Sequence, residues 1–145
     1  MKPIIKIALF VVLFIAVGGI LGALYFYNLK PQDLKNVKPH FTVTAVEFQK
    51  AFEGNEKAAS EKYINKIIEV SGEIASLKAG EKNTLNVSLK TGSDFSAVIC
   101  TFPSVKDSSR LAEGKFVTIR GVCSGFLMDV LLNNCAVIEN PNFHK

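Results

Sequence analysis

The chain has 145 residues, 48% of them hydrophobic, and its 17 basic against 13 acidic side chains give a formal charge of +4. Residues 1–27 hold two of the lysines and no acid, so the remainder carries fifteen basic and thirteen acidic side chains, a net +2. That near-neutral balance excludes a basic charge field as grounds for nucleic-acid binding, and the roughly 100 residues beyond the apolar start and its linker suit one small domain with one core.

Residues 7–27 contain no charged side chain. About 21 residues at roughly 1.5 Å each span on the order of 31 Å, close to the hydrocarbon thickness of a bilayer. A soluble helix keeps a wet face, and this stretch has none. It reads as a membrane span, with 1–27 an N-terminal anchor. The competing reading is a cleaved secretory leader, with Lys2 and Lys6 as its basic start; a buried soluble helix fits neither the length nor the uniformity. Against a leader, the run is long and its nearest small-residue site, Val17-Gly18-Gly19, lies in the middle. No cysteine precedes Cys100, which excludes lipid attachment at a leader's end. Tyr25, Phe26 and Tyr27 sit where an interfacial aromatic belt would, with Lys30 just beyond. Lysines on both sides of the run leave the positive-inside rule undecided. A short basic start before one span and a long C-terminal domain points to N-in. The expectation is a single-pass protein of the cytoplasmic (inner) membrane with its domain extracytoplasmic. Gly18-x-x-x-Gly22 has helix-dimer spacing, but a lone match leaves the oligomeric state open.

Residues 28–40 read as a linker, because Pro31 and Pro39 break any continuing helix and the residues between are polar. His40 and His144 have no nearby ligand set and read as solvated. Residues 41–64 read as a helical lid over an open end or edge of a sheet; the alternative is a partner-binding surface. Thr44 and Glu47 form a capping box, and Val43 and Phe48 occupy the positions of a hydrophobic staple. Val46, Phe48, Ala51 and Phe52 give an apolar side before Gly54 stops the helix. Asn55 caps a second helix over 56–63, with Ala58, Ala59 and Tyr63 inward.

From Lys66 the period changes to two. Ile68, Val70, Gly72 and Ile74 form the dry face of a first strand, with Glu69 and Glu73 outward and Gly72 permitting a sharp bend. A turn over 79–83 leads to a second strand whose Leu85, Val87 and Leu89 alternate with Thr84, Asn86, Ser88 and Lys90. A second turn precedes a third strand over 95–102, with Phe95 and Phe102 at its ends read as core. Asp107 or Ser108 caps a short helix within 105–113, packed by Leu111 and ended by Gly114. The fourth strand, 116–122, sets Val117 and Ile119 against Thr118 and Arg120, and Gly121 and Gly125 allow a bend around Cys123. The fifth, 130–138, slips in its apolar pattern at Asn133-Asn134 and so predicts a bulge. Asn140-Pro141-Asn142 ends the domain.

Three strands, a helix and two strands over 65–140 predict a mainly β domain: a five-stranded OB-fold barrel (strand-strand-strand-helix-strand-strand), preceded by two short helices and one N-terminal transmembrane helix. Closure removes exposed edges. A β-sandwich is the runner-up, disfavoured by five strands and a mid-chain helix. The run Asn55-Glu56-x-x-Ala59-x-x-x-Tyr63-x-x-Lys66, then Val70-x-Gly72, resembles the small bacterial OB-fold family called tRNA-anticodon-like. So do Gly114-x-x-Val117-x-x-x-Gly121-x-Cys123-x-Gly125-Phe126 and Asp129-Val130-x-Leu132-x-x-Cys135. The similarity covers roughly 47–138. The resemblance implies an OB-fold in a bacterial envelope protein behind a leader or single span, and no catalytic residue to carry over. The family's name records a fold analogy, which alone does not warrant a function.

An OB-fold binds single strands through aromatic platforms on its second and third strands plus a basic groove. Here the second strand turns out Thr84, Asn86, Ser88 and Lys90: no aromatic and one cation. Each missing base stack forfeits about 1–3 kcal/mol. The leading expectation is a tethered binding module for a protein, peptide or glycan partner, with Thr84, Asn86, Ser88, Lys90 and Arg120 as candidate ligand-binding residues; a plain solvated strand face competes for each. Single-stranded nucleic acid is the alternative. No enzyme is expected: Ser124 lacks the Gly-x-Ser-x-Gly context and no histidine lies in the domain body to serve it. No cofactor or metal is expected either, since Cys100, Cys123 and Cys135 lie on three different strands. In an oxidising compartment Cys123 and Cys135, flanking the last hairpin, are the favoured disulfide; three reduced buried thiols are the equal alternative.

Overall fold

The computed structural model describes residues 2–28 and 32–138, except the side chains of 107 and 108. The expectations placed on Lys30, Pro31, His144, the cap at Asp107 or Ser108 and the domain end at Asn140-Pro141-Asn142 lie outside the described residues. The chain divides into two compact units, Met1–Pro31 and Gln32–Lys145.

The first unit is helix α1 (Pro3–Tyr27), which begins four residues before the uncharged run. Its opening proline suits a first turn that needs no N–H. None of its residues is buried, and its length and hydropathy are enough to cross a membrane.

The second unit holds β1 (Phe41–Thr44), α2 (Ala45–Gly54), α3 (Glu56–Tyr63), β2 (Ile67–Ala79), β3 (Leu85–Lys90), β4 (Ala97–Phe102), β5 (Phe116–Leu127) and β6 (Asp129–Val137). Strands β2 to β6 close a barrel in the order β2-β3-β4-β6-β5, with β5 returning to β2. Only the β4–β6 pair in that ring is parallel. This closed five-stranded barrel is the expected OB-fold. The connector expected as a helix is a 3-10 segment over Val105–Arg110, followed by buried Leu111 and by Gly114 at φ 80°.

The alternation read from the sequence fills the interior. Ile68, Val70 and Ile74 of β2, Val87 and Leu89 of β3, and Val98, Cys100 and Phe102 of β4 are fully buried. Phe95 is a correction: it is 86% exposed and precedes β4. Strand parity explains this, since odd-numbered Ala97, Ile99 and Thr101 turn outward while even-numbered positions turn in.

Two expectations about the amino-terminal part of the unit change. The four residues ending at the Thr44 cap form β1, which pairs parallel with β2 from Phe41↔Ile68 to Thr44↔Ser71. The segment expected as linker is packed from Gln32 onward: Leu34 is buried, and His40 exchanges bonds with the Ile67 backbone through its own N–H and its Nδ1. The capping box forms as expected, with Glu47 N donating to Thr44 Oγ1 and Thr44 N to Glu47 Oε2. Asn55 Oδ1 accepts from Ala58 N and starts α3. Phe48 and Phe52 of α2 are fully buried and stack edge-on with each other, and Phe48 does the same with Tyr63, at 5.1–5.6 Å. The helices are therefore part of the barrel's core.

Gly72 also has a different use from the one expected. The irregularity in β2 falls at Ile74/Ser76, where pairing passes to β3. At Gly72 a Cβ would lie 3.0 Å from Ala45 Cβ, so the position lets the first turn of α2 approach the strand. Around Gly54 there is no atom within 4 Å of such a Cβ. Gly72→Ala should lower stability by about 1–3 kcal/mol, and Gly54→Ala by no more than about 0.5 kcal/mol either way. Urea midpoints at constant slope measure both; equal effects would refute the close approach.

Candidate functional site

The residues expected to bind a ligand divide into two groups. Thr84, Asn86, Ser88 and Lys90 follow one another along the outside of β3 or just before it. Thr84 Oγ1 donates to Glu81 O at 2.7 Å, and Asn86 Oδ1 accepts from Thr101 Oγ1 on β4 at 2.9 Å. Ser88 is half-buried opposite Ile99. Lys90 Nζ is ion-paired with Glu73 on β2, both exposed. This face therefore offers hydrogen-bonding groups, no aromatic ring from β3 or β4, and a cation already partnered.

Arg120 is not brought to that face. It lies on β5 opposite Glu69 of β2. Its Nε and Nη2 donate to Glu69 Oε2, and its Nη1 donates to the carbonyls of Leu34, Lys35 and Val37. The guanidinium fork suits such a multiple acceptor set. Arg120 thus clamps the segment that precedes β1, and Asn134 Nδ2 holds Gln32 O beside it at 2.7 Å.

The three cysteines are buried and free. Cys123 faces Leu132 in the β5–β6 register, not Cys135, which corrects the expected bridge. The reason is the bulge foreseen at Asn133-Asn134. Pairing jumps from Val122↔Asn133 to Arg120↔Ala136, with Asn134 at φ 52°. Cys135 is carried inward beside Cys100, and its Sγ fills the place where a Cβ on Gly121 would sit. Burial pushes the Cys123 thiol up to about 11, and burial followed by the neighbouring Cys100 raises Cys135 well above its usual range. Among the described residues no group of three or more His, Cys, Asp and Glu is placed to hold a metal.

A second surface was missed by the sequence reading. The β3–β4 loop and the β5–β6 turn converge near the α2–α3 junction on an open cleft of about 700 Å³. Phe95, Leu127 and Met128 are 70–86% exposed there, with Phe126 stacked on buried Phe52 at 5.2 Å. Glu53 and Glu56 line the same cleft, and no lysine or arginine does so among the described residues. The turn is pinned from below: Gln49 Nε2 donates to Met128 O at 2.8 Å and to Glu53 Oε1 at 3.0 Å. Ser96 Oγ donates to the same Glu53 oxygen, and Thr91 Oγ1 donates to Ser96 O. Two signals in the sequence point here: the outward parity of Phe95, and an apolar Leu127-Met128 at the hairpin apex, where Gly or Asn normally takes the left-handed position.

The cysteine geometry makes a prediction. At pH 8 a thiol of raised pKa is almost wholly protonated, so iodoacetamide should label native Cys123 on the order of a hundredfold more slowly than an open thiol. Denaturation should open all three to labelling without reductant. The folded form favours the neutral thiol, so its contribution is complete below the ordinary thiol range and is lost as pH climbs from about 9 toward 11. A bridged Cys123–Cys135 peptide in unreduced protein would contradict this geometry.

The fold matches solved structures. A structure named "putative nucleic acid-binding lipoprotein" from Klebsiella pneumoniae aligns with a TM-score of 0.57 at 22% identity, covering 67% of this chain and 91% of that one. An OBody bound to hen egg-white lysozyme aligns at TM-score 0.40 and 14% identity, over 55% of this chain and 87% of that one. Yeast Stn1 and Ten1 give 0.41 and 12%, over 73% and 66%. No curated protein matches the sequence. The tRNA_anti-like family model matches residues 1–137, and the chain belongs to that family.

Proposed function

We propose that this protein is a membrane-anchored, extracytoplasmic OB-fold module that binds a protein, peptide or glycan partner and carries out no catalysis. The observation that carries the reading is the state of the face where OB-folds take single strands. The β3–β4 exterior has no aromatic platform, Lys90 is neutralised by Glu73, and Arg120 is committed to Glu69 and three carbonyls. Stacking and phosphate contacts together supply most of the affinity of such sites. Among the described residues, a cluster of exposed apolar side chains lies elsewhere, at the Phe95 and Met128 cleft.

The anchor rests on α1, whose best 18-residue window has a mean hydropathy of 2.8 with none of it buried. A helix of 25 residues exceeds the ~20 that a bilayer needs and the length of a usual leader core. The short basic start before a single span supports placing the anchor in the cytoplasmic membrane with its N-terminus inside.

A second reading, binding of single-stranded nucleic acid, is favoured by the name of the Klebsiella structure. At that identity the likeness carries the fold and no ligand. Fluorescence anisotropy with labelled single-stranded DNA and RNA, using the full chain in detergent micelles, separates the two. At physiological salt we expect binding no tighter than the ordinary non-specific range of about 10⁻⁴ to 10⁻⁶ M. Nanomolar binding that falls steeply with salt and is lost in Lys90→Glu would establish the nucleic-acid reading instead.

A further inference from the structure

We infer that the cleft between the β3–β4 loop, the β5–β6 turn and the α2–α3 junction docks a peptide segment bearing an apolar side chain beside a lysine or arginine. This inference rests on the reading of the barrel as a binding module and names the site and the partner's chemistry.

The fold gives up stability to keep this surface as it is. Met128 has φ 67°, a left-handed conformation that an unbranched L side chain adopts at a cost. Buried Gln49 holds it there. Both acceptors of the Gln49 amide nitrogen, Met128 O and Glu53 Oε1, fix which way the amide points. Its Oε1 is then left buried without a partner, an arrangement that is ordinarily destabilising. A Gly or Asn at position 128 would avoid the first of these costs. What they achieve is a rigid tip that displays Leu127 and Met128 toward Phe95. Exposed apolar side chains clustered on a pinned framework are the usual form of a recognition surface.

Charge complementarity points to the same partner. Glu53 and Glu56 stand at the edge of the apolar floor with no cation among the described residues paired to either. Glu53 is held in place by Gln49 and Ser96, so its carboxylate is presented at low entropic cost. A partner with a cation next to its apolar anchor satisfies both features. A bilayer does not, because seating the apolar floor in it would strip water from both carboxylates with nothing to pair them. A glycan would require more hydrogen-bonding groups than the phenylalanine, leucine and methionine floor supplies.

The test uses the full chain in nanodiscs of neutral lipid, with a displayed library of random peptides as the probe. Selected peptides should carry an apolar residue adjacent or nearly adjacent to Lys or Arg. Synthetic copies should bind about tenfold more weakly to Phe95→Ser. They should bind about fivefold more weakly, with reduced salt dependence, to Glu53→Gln/Glu56→Gln. Ser88→Arg, on the β3–β4 exterior, should change nothing. All of these positions are exposed or half-buried, so circular dichroism should match the parent. Peptides that bind equally to Phe95→Ser but are lost in Ser88→Arg would overturn the cleft while leaving a binding module in place. No enrichment over empty nanodiscs overturns the inference, and if it accompanies tight single-strand binding it overturns the underlying reading too. A polarity-sensitive dye on Phe95→Cys that reports a bilayer environment without peptide would assign the cleft to lipid and also overturn it.

Discussion

Strand β2 needs partners on both edges, and no single neighbour can supply one of them. Its first half pairs with β5 on one side, and its second half pairs with β3 on the other. Where β3 has not yet joined, the edge from Ile68 to Ser71 would be bare. Strand β1 fills it in parallel register. An open edge would be a site for unwanted pairing and would leave backbone groups without bonds. The chain that covers this edge continues directly into α2 through the Thr44 capping box, which places Phe48 and Phe52 in the barrel interior. Edge cover and end plug are thus one continuous segment, and the Gly72 approach to Ala45 is where they meet the strand.

This construction also engages two cations of the strand exteriors, Arg120 and Lys90. Arg120 is drawn onto Glu69 and the carbonyls before β1, because those carbonyls have no strand partner of their own. With side chains 11% and 19% exposed, the Arg120–Glu69 pair is partly buried. Removing either partner alone would leave an uncompensated charge. Lys90 is turned to Glu73. Among the described residues, Phe95, Leu127 and Met128 beside Glu53 and Glu56 form an exposed apolar and acidic surface.

Much of this was legible from period and capping. The inward residues of β2, β3 and β4, both helix starts and the bulge at Asn133-Asn134 follow from local rules, because each depends on neighbours within a few positions. What was not legible depends on distant pairing. β1 is four residues long and merges in sequence with the cap of α2, so its parallel partner could not be read. The packing of Leu34 depends on Arg120, 86 positions away. The bulge was foreseen, but not that it would carry Cys135 away from Cys123 and toward Cys100. Hydrophobicity alone puts Phe95 inward, whereas strand parity turns it outward, and the cleft is legible only from the parity.

The account stands on recognition having moved from the β3–β4 exterior to the Phe95 cleft. Site-specific photocrosslinking in living cells tests that directly, with a benzophenone amino acid placed at position 95 in one strain and at position 88 in another. The account predicts a discrete, protease-sensitive and nuclease-resistant adduct from position 95 and none from position 88. A nuclease-sensitive adduct, or a discrete adduct from position 88 alone, would contradict it.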